Sequence, residues 1–83
     1  MANYSLVKNQ DGYFLSAAAN KPKFTSNLDD NCIWVHKDNV LTCAGNGFEM
    51  AYRSGEQIQN QNTSLYPGSS QLPSKHLAEL RND

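Results

Sequence analysis

Apolar residues in this chain come in short runs, each closed by polar turn formers. Tyr4-Ser5-Leu6-Val7-Lys8 reads as a first strand. Asn9-Gln10-Asp11-Gly12 follows as a turn, because Asp-Gly between apolar runs is a strong hairpin signal. Tyr13-Phe14-Leu15-Ser16-Ala17 is the return strand. Residues 18–22 form a loop, and Lys23-Phe24-Thr25 is short and extended; Pro22 fixes its own φ and biases Lys21 toward extended geometry. Next, Ser26 can cap a helical turn whose first residues include Asp29 and Asp30, where negative charge is favoured. A strand is then expected over 32–36, a turn at Lys37-Asp38-Asn39, and a return strand over 40–44. Gly45-Asn46-Gly47 is a second tight turn before a strand over 48–53, which Ser54-Gly55 ends.

Beyond residue 55 the pattern thins. Residues 56–64 hold one apolar residue, Ile58, among amides, and read as a loop or a ragged edge strand. Tyr66-Pro67-Gly68 reads as a turn. Ser74 can cap a short helix over 75–81 with Leu77 and Leu80 on one side. A helix of that length is marginal alone, so its leucines must dock on this chain or another, and a homodimer through Leu77 and Leu80 is one expectation. The reading is an α+β domain, mostly β: a small antiparallel meander of five to six short strands with one helical turn and a short C-terminal helix. It is a single domain over 1–83, with a β-rich core (1–55), a polar loop (56–73) and a short helix (74–82).

Composition narrows the function. At 83 residues, one small core supplies only a few kcal/mol of net stability. Charged residues make up 18% of the chain and the formal net charge is −1, which argues against the clustered basic footprint of a nucleic-acid binder. The same balance argues against an acidic mimic of DNA. No basic segment leads into an apolar stretch at the start, and no apolar run approaches the roughly 20 residues that span a bilayer. A cytoplasmic protein with reduced cysteines and no membrane partner is therefore expected. The sequons at Asn3 and Asn62 matter only if the chain is secreted.

Residues 31–50 ("NCIWVHKDNVLTCAGNGFEM") concentrate both cysteines, the tryptophan and His36. As metal ligands Cys32, His36, Cys43 and His76 are badly spaced: compact zinc modules pair ligands two to four residues apart, whereas Cys32 and His36 on one strand lie about 13 Å apart. A disulfide turns on register. A loop of Lys37 and Asp38 sets Cys32 opposite Cys43, while a loop of Asp38 and Asn39 sets Trp34 there instead. Cys–His catalysis needs a base within reach and a third orienting group, and His36 or His76 backed by Asp29, Asp30 or Asp38 is too generic to indicate one. Gly45-Asn46-Gly47 lacks the Lys-Ser/Thr and the strand-to-helix setting of a phosphate loop. No enzyme, cofactor or metal is expected. The run reads as the central hairpin, with Ile33, Val35, Leu41 and Cys43 buried.

Binding is the remaining chemistry. Trp34 is either core or, if its face stays uncovered, an exposed anchor; aromatic residues near Arg make interface hot spots, which brings in Arg53. Tyr66, in a polar stretch, is the better surface candidate. Lys21 and Lys23, with Lys8 nearby, make a basic spot suited to an acidic partner surface. The amides and tyrosine of residues 56–71 suit an adaptable hydrogen-bonding surface.

The run "DGYFLSAAANKPKFTSNLDDNCIWV" resembles a pattern of small phage and prophage accessory proteins. Gly12, Tyr13, Leu15, Phe24, Thr25, Ser26, Leu28, Ile33 and Val35 carry the match. It covers about a third of the chain and departs at Asn31-Cys32, where a small residue is expected. "DGYFLSA" is also similar to one strand pair of a β-trefoil, although the chain is too short for three such units. The resemblance implies no active site. It implies a protein that binds a host protein or protein complex in the host cytoplasm and disables it. The expected function is accordingly a non-enzymatic, phage-type inhibitor that occludes a host or defence protein through Trp34, Tyr66 and Arg53, with Lys21 and Lys23 at the rim. A small-ligand or glycan-binding module and a structural subunit of a larger assembly are the alternatives.

Overall fold

A computed structural model describes residues 4–67. They form an almost entirely antiparallel β domain: β1 (Tyr4–Asn9), β2 (Phe14–Ser16), β3 (Lys23–Thr25), β4 (Trp34–Lys37), β5 (Val40–Cys43), β6 (Glu49–Ala51) and β7 (Thr63–Pro67). The only helical pieces among the described residues are two short 3-10 turns, Ala18–Asn20 and Asp30–Cys32. The expected C-terminal helix, with Leu77 and Leu80, lies outside the described residues. No helix among the described residues is long and apolar enough to cross a membrane.

The strand order is β3-β2-β1-β4-β5-β6, with β7 on the other side of β1. This corrects the expectation of one meander. Two three-stranded meanders meet where Tyr4 and Ser5 of β1 pair with Val35 and Trp34 of β4. Further along the same edge, Lys8 pairs with Phe14 of β2. The opposite edge of β1 pairs with β7 from Ser5↔Pro67 to Asn9↔Thr63. Flanked on both edges, β1 buries Ser5, Leu6 and Val7.

Turn chemistry sets the registers. Asn9 accepts from the Gly12 N–H at 3.0 Å and donates its own N–H to the Tyr13 carbonyl at 2.9 Å. Gly12 has φ +83°, the left-handed region that glycine occupies without Cβ strain. In the β4–β5 hairpin Asp38 and Asn39 have φ of 54° and 63°, the two-residue loop whose twist matches the strands. That loop fixes the second of the two registers, Trp34 opposite Cys43. Cys32 therefore does not face Cys43, and both are buried free thiols.

The same turns account for the abundance of amides. Asn9 Oδ1 accepts from the N–H groups of Asp11 and Tyr13, each at 2.9 Å, while its Nδ2 donates to Gln61 at 2.7 Å. Asn46 Oδ1 accepts from the Phe48 N–H at 3.0 Å and its Nδ2 donates to the Ala17 carbonyl at 2.7 Å. Asn20, Asn39 and Asn60 all hold positive φ, which Asn tolerates better than most residues. In so small a domain, loop backbone is satisfied by side-chain amides.

Two apolar clusters lie on opposite faces of the curled sheet. The main core includes Val7, Leu15, Trp34, Leu41 and Tyr52, with Ile58 closing it. On the other face Leu6 and Ile33 are buried among Tyr4, Phe14, Leu28 and Ala44. The helical turn sits later than expected, at Asp30–Cys32: Asp29, not Ser26, caps it, its side chain accepting from the Asn31 N–H at 2.9 Å. Part of the expected polar loop is also strand. In β7, Thr63 and Leu65 turn inward and Ser64 and Tyr66 outward, the period-2 pattern of a half-buried strand. Tyr66 and Pro67, expected in a turn, thus belong to a strand, and Gly68 lies outside the described residues.

Candidate binding surface

Cross-strand partners share a face, so the pairings locate every candidate side chain. Leu6 pairs with Tyr66, and Lys8 with Ser64 on one side and Phe14 on the other. Phe14 pairs with Thr25 and Ser16 with Lys23. Tyr66, Lys8, Phe14 and Lys23 therefore project from one sheet face, opposite the main core. Tyr66 is 39% exposed. The Lys8 Nζ lies 4.8 Å from the Tyr66 ring centroid and 5.4 Å from that of Phe14. A cation within about 6 Å of an aromatic face is drawn to the ring quadrupole, so two rings on neighbouring strands hold this ammonium in place.

The other candidates fall elsewhere. Trp34 is fully buried, its Nε1–H donating to the Leu15 carbonyl at 2.9 Å and its ring meeting Phe48 edge-on at 6.5 Å. Trp34 is core, which corrects its reading as a surface anchor: the Asp38-Asn39 loop turns it to the inner face beside Cys43. Arg53 is exposed just past β6, and its backbone N–H is capped by the Glu56 side chain. Three strands separate β6 from β7, so Arg53 does not join Tyr66. Lys21, just after the Ala18–Asn20 turn, and Lys23, on β3, are both exposed, and Lys23 shares the Tyr66 face. Sequence patterning does not mark Phe14 as a site residue, and it marks Lys8 only as a neighbour of the basic spot. The signal was present, since the Gly12 turn sets Lys8 opposite Phe14.

Comparison with protein families, curated proteins and solved structures finds no match.

The cysteine–histidine run is held in structural contacts. His36 Nε2 donates to the Tyr52 carbonyl at 3.0 Å, with the two rings edge-on at 5.5 Å. The Cys32 thiol points at the Asn27 carbonyl (3.4 Å) and Asp29 Oδ1 (3.6 Å), and the Cys43 thiol at the Asn31 carbonyl (3.4 Å). Among the described residues no three His, Cys, Asp or Glu side chains gather as metal ligands. Burial pushes the Cys32 thiol from 9.0 to about 11, with the Asp29 charge adding to the rise and a backbone hydrogen bond opposing it. Such a thiol is a poor nucleophile at neutral pH.

Two outcomes follow from the Cys32 shift. At pH 8 a thiol reagent is expected to label Cys32 roughly 100-fold more slowly than a peptide thiol, because its thiolate is scarcer by that factor. The folded pKa exceeds the unfolded one, so this stabilisation is complete below pH 9.0 and is lost as pH rises to about 11. The loss is on the order of 2 kcal/mol. Urea midpoints at pH 8 and pH 11, in wild type and Cys32→Ala, measure it; equal pH dependence in both would refute the assignment.

Proposed function

We propose that this domain is a non-enzymatic binding protein that occludes a protein partner, with Tyr66 as the central anchor. The observation that carries this reading is the half-exposed Tyr66 ring on β7, backed by Lys8 and Phe14. An aromatic ring fixed on a strand binds at little conformational cost, and such residues dominate interface energetics. The phage-type inhibitor of a host or defence protein, working in the host cytoplasm, is the form this reading takes when joined to the resemblance over residues 11–35.

The test is a tagged full-length chain used for capture from bacterial lysate, with Tyr66→Ala as the comparison. One protein recovered near one-to-one and reduced at least tenfold by Tyr66→Ala is the expected result, with unchanged thermal stability of the variant. Hot-spot truncations commonly reach about 2 kcal/mol, or some thirtyfold in affinity. Equal recovery with both forms would reject Tyr66 as the anchor.

A second reading rests on a chain of exposed amides. Gln57 Nε2 donates to Asn62 Oδ1 at 3.0 Å, and Asn62 Nδ2 donates to Gln10 Oε1 at 3.3 Å. Tyr13, in the same β1–β2 connection as Gln10, is 48% exposed. Amides beside an open aromatic ring suit a sugar or another polar small ligand, and thermal stabilisation by such compounds would favour this reading.

A further inference from the structure

We propose that Lys8, held between Tyr66 and Phe14, is a carboxylate-binding position, and that the face around it docks an acidic segment of a protein partner. This deepens the binding reading above and rests on it. The ammonium has two aromatic contacts, at 4.8 Å and 5.4 Å, and no carboxylate pairs with it among the described residues. Among the described residues its charge is thus placed but not neutralised. Aromatic faces orient a lysine while leaving its N–H donors free to meet an anion, and holding it there reduces the rotamer entropy lost on binding.

The charge of the surrounding face selects the same partner. Cross-strand pairing links Tyr4, Val35, Thr42 and Glu49 in one row and Lys37, Val40 and Ala51 in another, on the face that carries Lys8. The strand residues of that face therefore bring three lysines, Lys8, Lys23 and Lys37, against one carboxylate, Glu49. Glu49 lies on β6, the strand farthest from β7. Next to Tyr66 itself the strand side chains are the Lys8 ammonium and the Phe14 ring, while Asp29 and Asp30 follow Leu28, which packs on the same face in the Leu6 and Ile33 cluster. A segment with a carboxylate for Lys8 and a second acid toward Lys23 matches these strand side chains, and steering by opposite charge would speed the encounter at low salt. Phosphate would satisfy the same ammonium, but three lysines spread over the sheet do not form the continuous basic track that a nucleic-acid backbone requires.

The experiment uses the full chain labelled with 15N and with 13C in its aromatic rings. It is titrated with blocked hexa-aspartate, blocked hexa-asparagine or hexathymidylate. Saturable shifts of the Lys8 amide and the Tyr66 and Phe14 ring signals with hexa-aspartate alone are expected. The affinity should fall at least tenfold in Lys8→Gln and again in 0.5 M salt. Hexathymidylate binding as tightly as hexa-aspartate would overturn the proposal in favour of nucleic acid. Shifts that survive Lys8→Gln, or none at the rings, would overturn it as well. A captured partner lost with Tyr66→Ala but indifferent to Lys8→Gln would remove this inference and leave the binding function standing. Retention of the wild-type amide spectrum by Lys8→Gln, whose altered side chain is only half-buried, shows that the fold is intact.

Discussion

Trp34→Ala is expected to leave the domain largely unfolded at 37 °C. Tryptophan-to-alanine changes at fully buried sites remove about 3–5 kcal/mol, and a single core of this size rarely supplies more than about 3–5 kcal/mol. Trp34 is fully enclosed, and truncation also strips the Leu15 carbonyl of its donor and Phe48 of its ring contact. Trp34→Phe keeps most of the apolar volume and loses the hydrogen bond, so a smaller loss of about 1–3 kcal/mol is expected. Thermal and urea unfolding followed by circular dichroism compare the two. If Trp34→Ala melted within a few degrees of wild type, the central place of this side chain in the core would be wrong. The result bears on function too: a partner lost with Trp34→Ala says nothing about the binding face, because the variant loses the sheet that presents Tyr66.

The second large effect is expected at Gly45. A Cβ there would lie 2.8 Å from both the Asp30 carbonyl oxygen and Asn31 Oδ1, and 2.9 Å from the Asp30 carbonyl carbon. Two of these atoms are backbone, pinned where the Ile33 N–H donates to Asp30 and the Ala44 N–H to Ile33. Either the β5–β6 turn or the Asp30–Cys32 turn must move, and overpacking of this kind costs roughly 1–3 kcal/mol. Gly45→Ala should therefore lower the urea midpoint without changing the slope of the transition. A neutral result would mean that the two turns do not approach each other so closely.

Much of this fold could be read from the chain, and the reasons are local. Asp11-Gly12 and Asp38-Asn39 are turn signals whose geometry depends on adjacent residues alone, so the first hairpin was legible and the β4–β5 register was narrowed to two, of which the Asp38-Asn39 loop selects Trp34–Cys43. β7 was not. Its inward residues are Thr63 and Leu65, so it buries a single aliphatic side chain. Its existence depends on β1, more than fifty residues away, having a second edge to fill. The cap at Asp29 was misplaced because Ser26 offers equally good chemistry three residues earlier, and only the packing of Cys32 decides between them. Of the surface, Tyr66 and Lys23 were legible as polar-context side chains, whereas Trp34 and Arg53 depended on which sheet face and which strand each would occupy. Lys8 and Phe14 became a pair only through strand register.

The place of β1 also has a consequence for the order of folding. This strand is synthesised before residues 63–67, which fill one of its edges. The hairpins β1–β2 and β4–β5 close over a few residues, while the β1–β7 pairing closes nearly the whole described chain and must bear the loop entropy of doing so. Non-local pairings of this kind slow folding relative to helical domains of the same size. Until β7 arrives, the outer edge of β1 is an open hydrogen-bonding template beside Leu6 and Val7, the kind of edge that recruits other chains. Ribosome-bound intermediates that lack β7 are thus the species most exposed to misassembly.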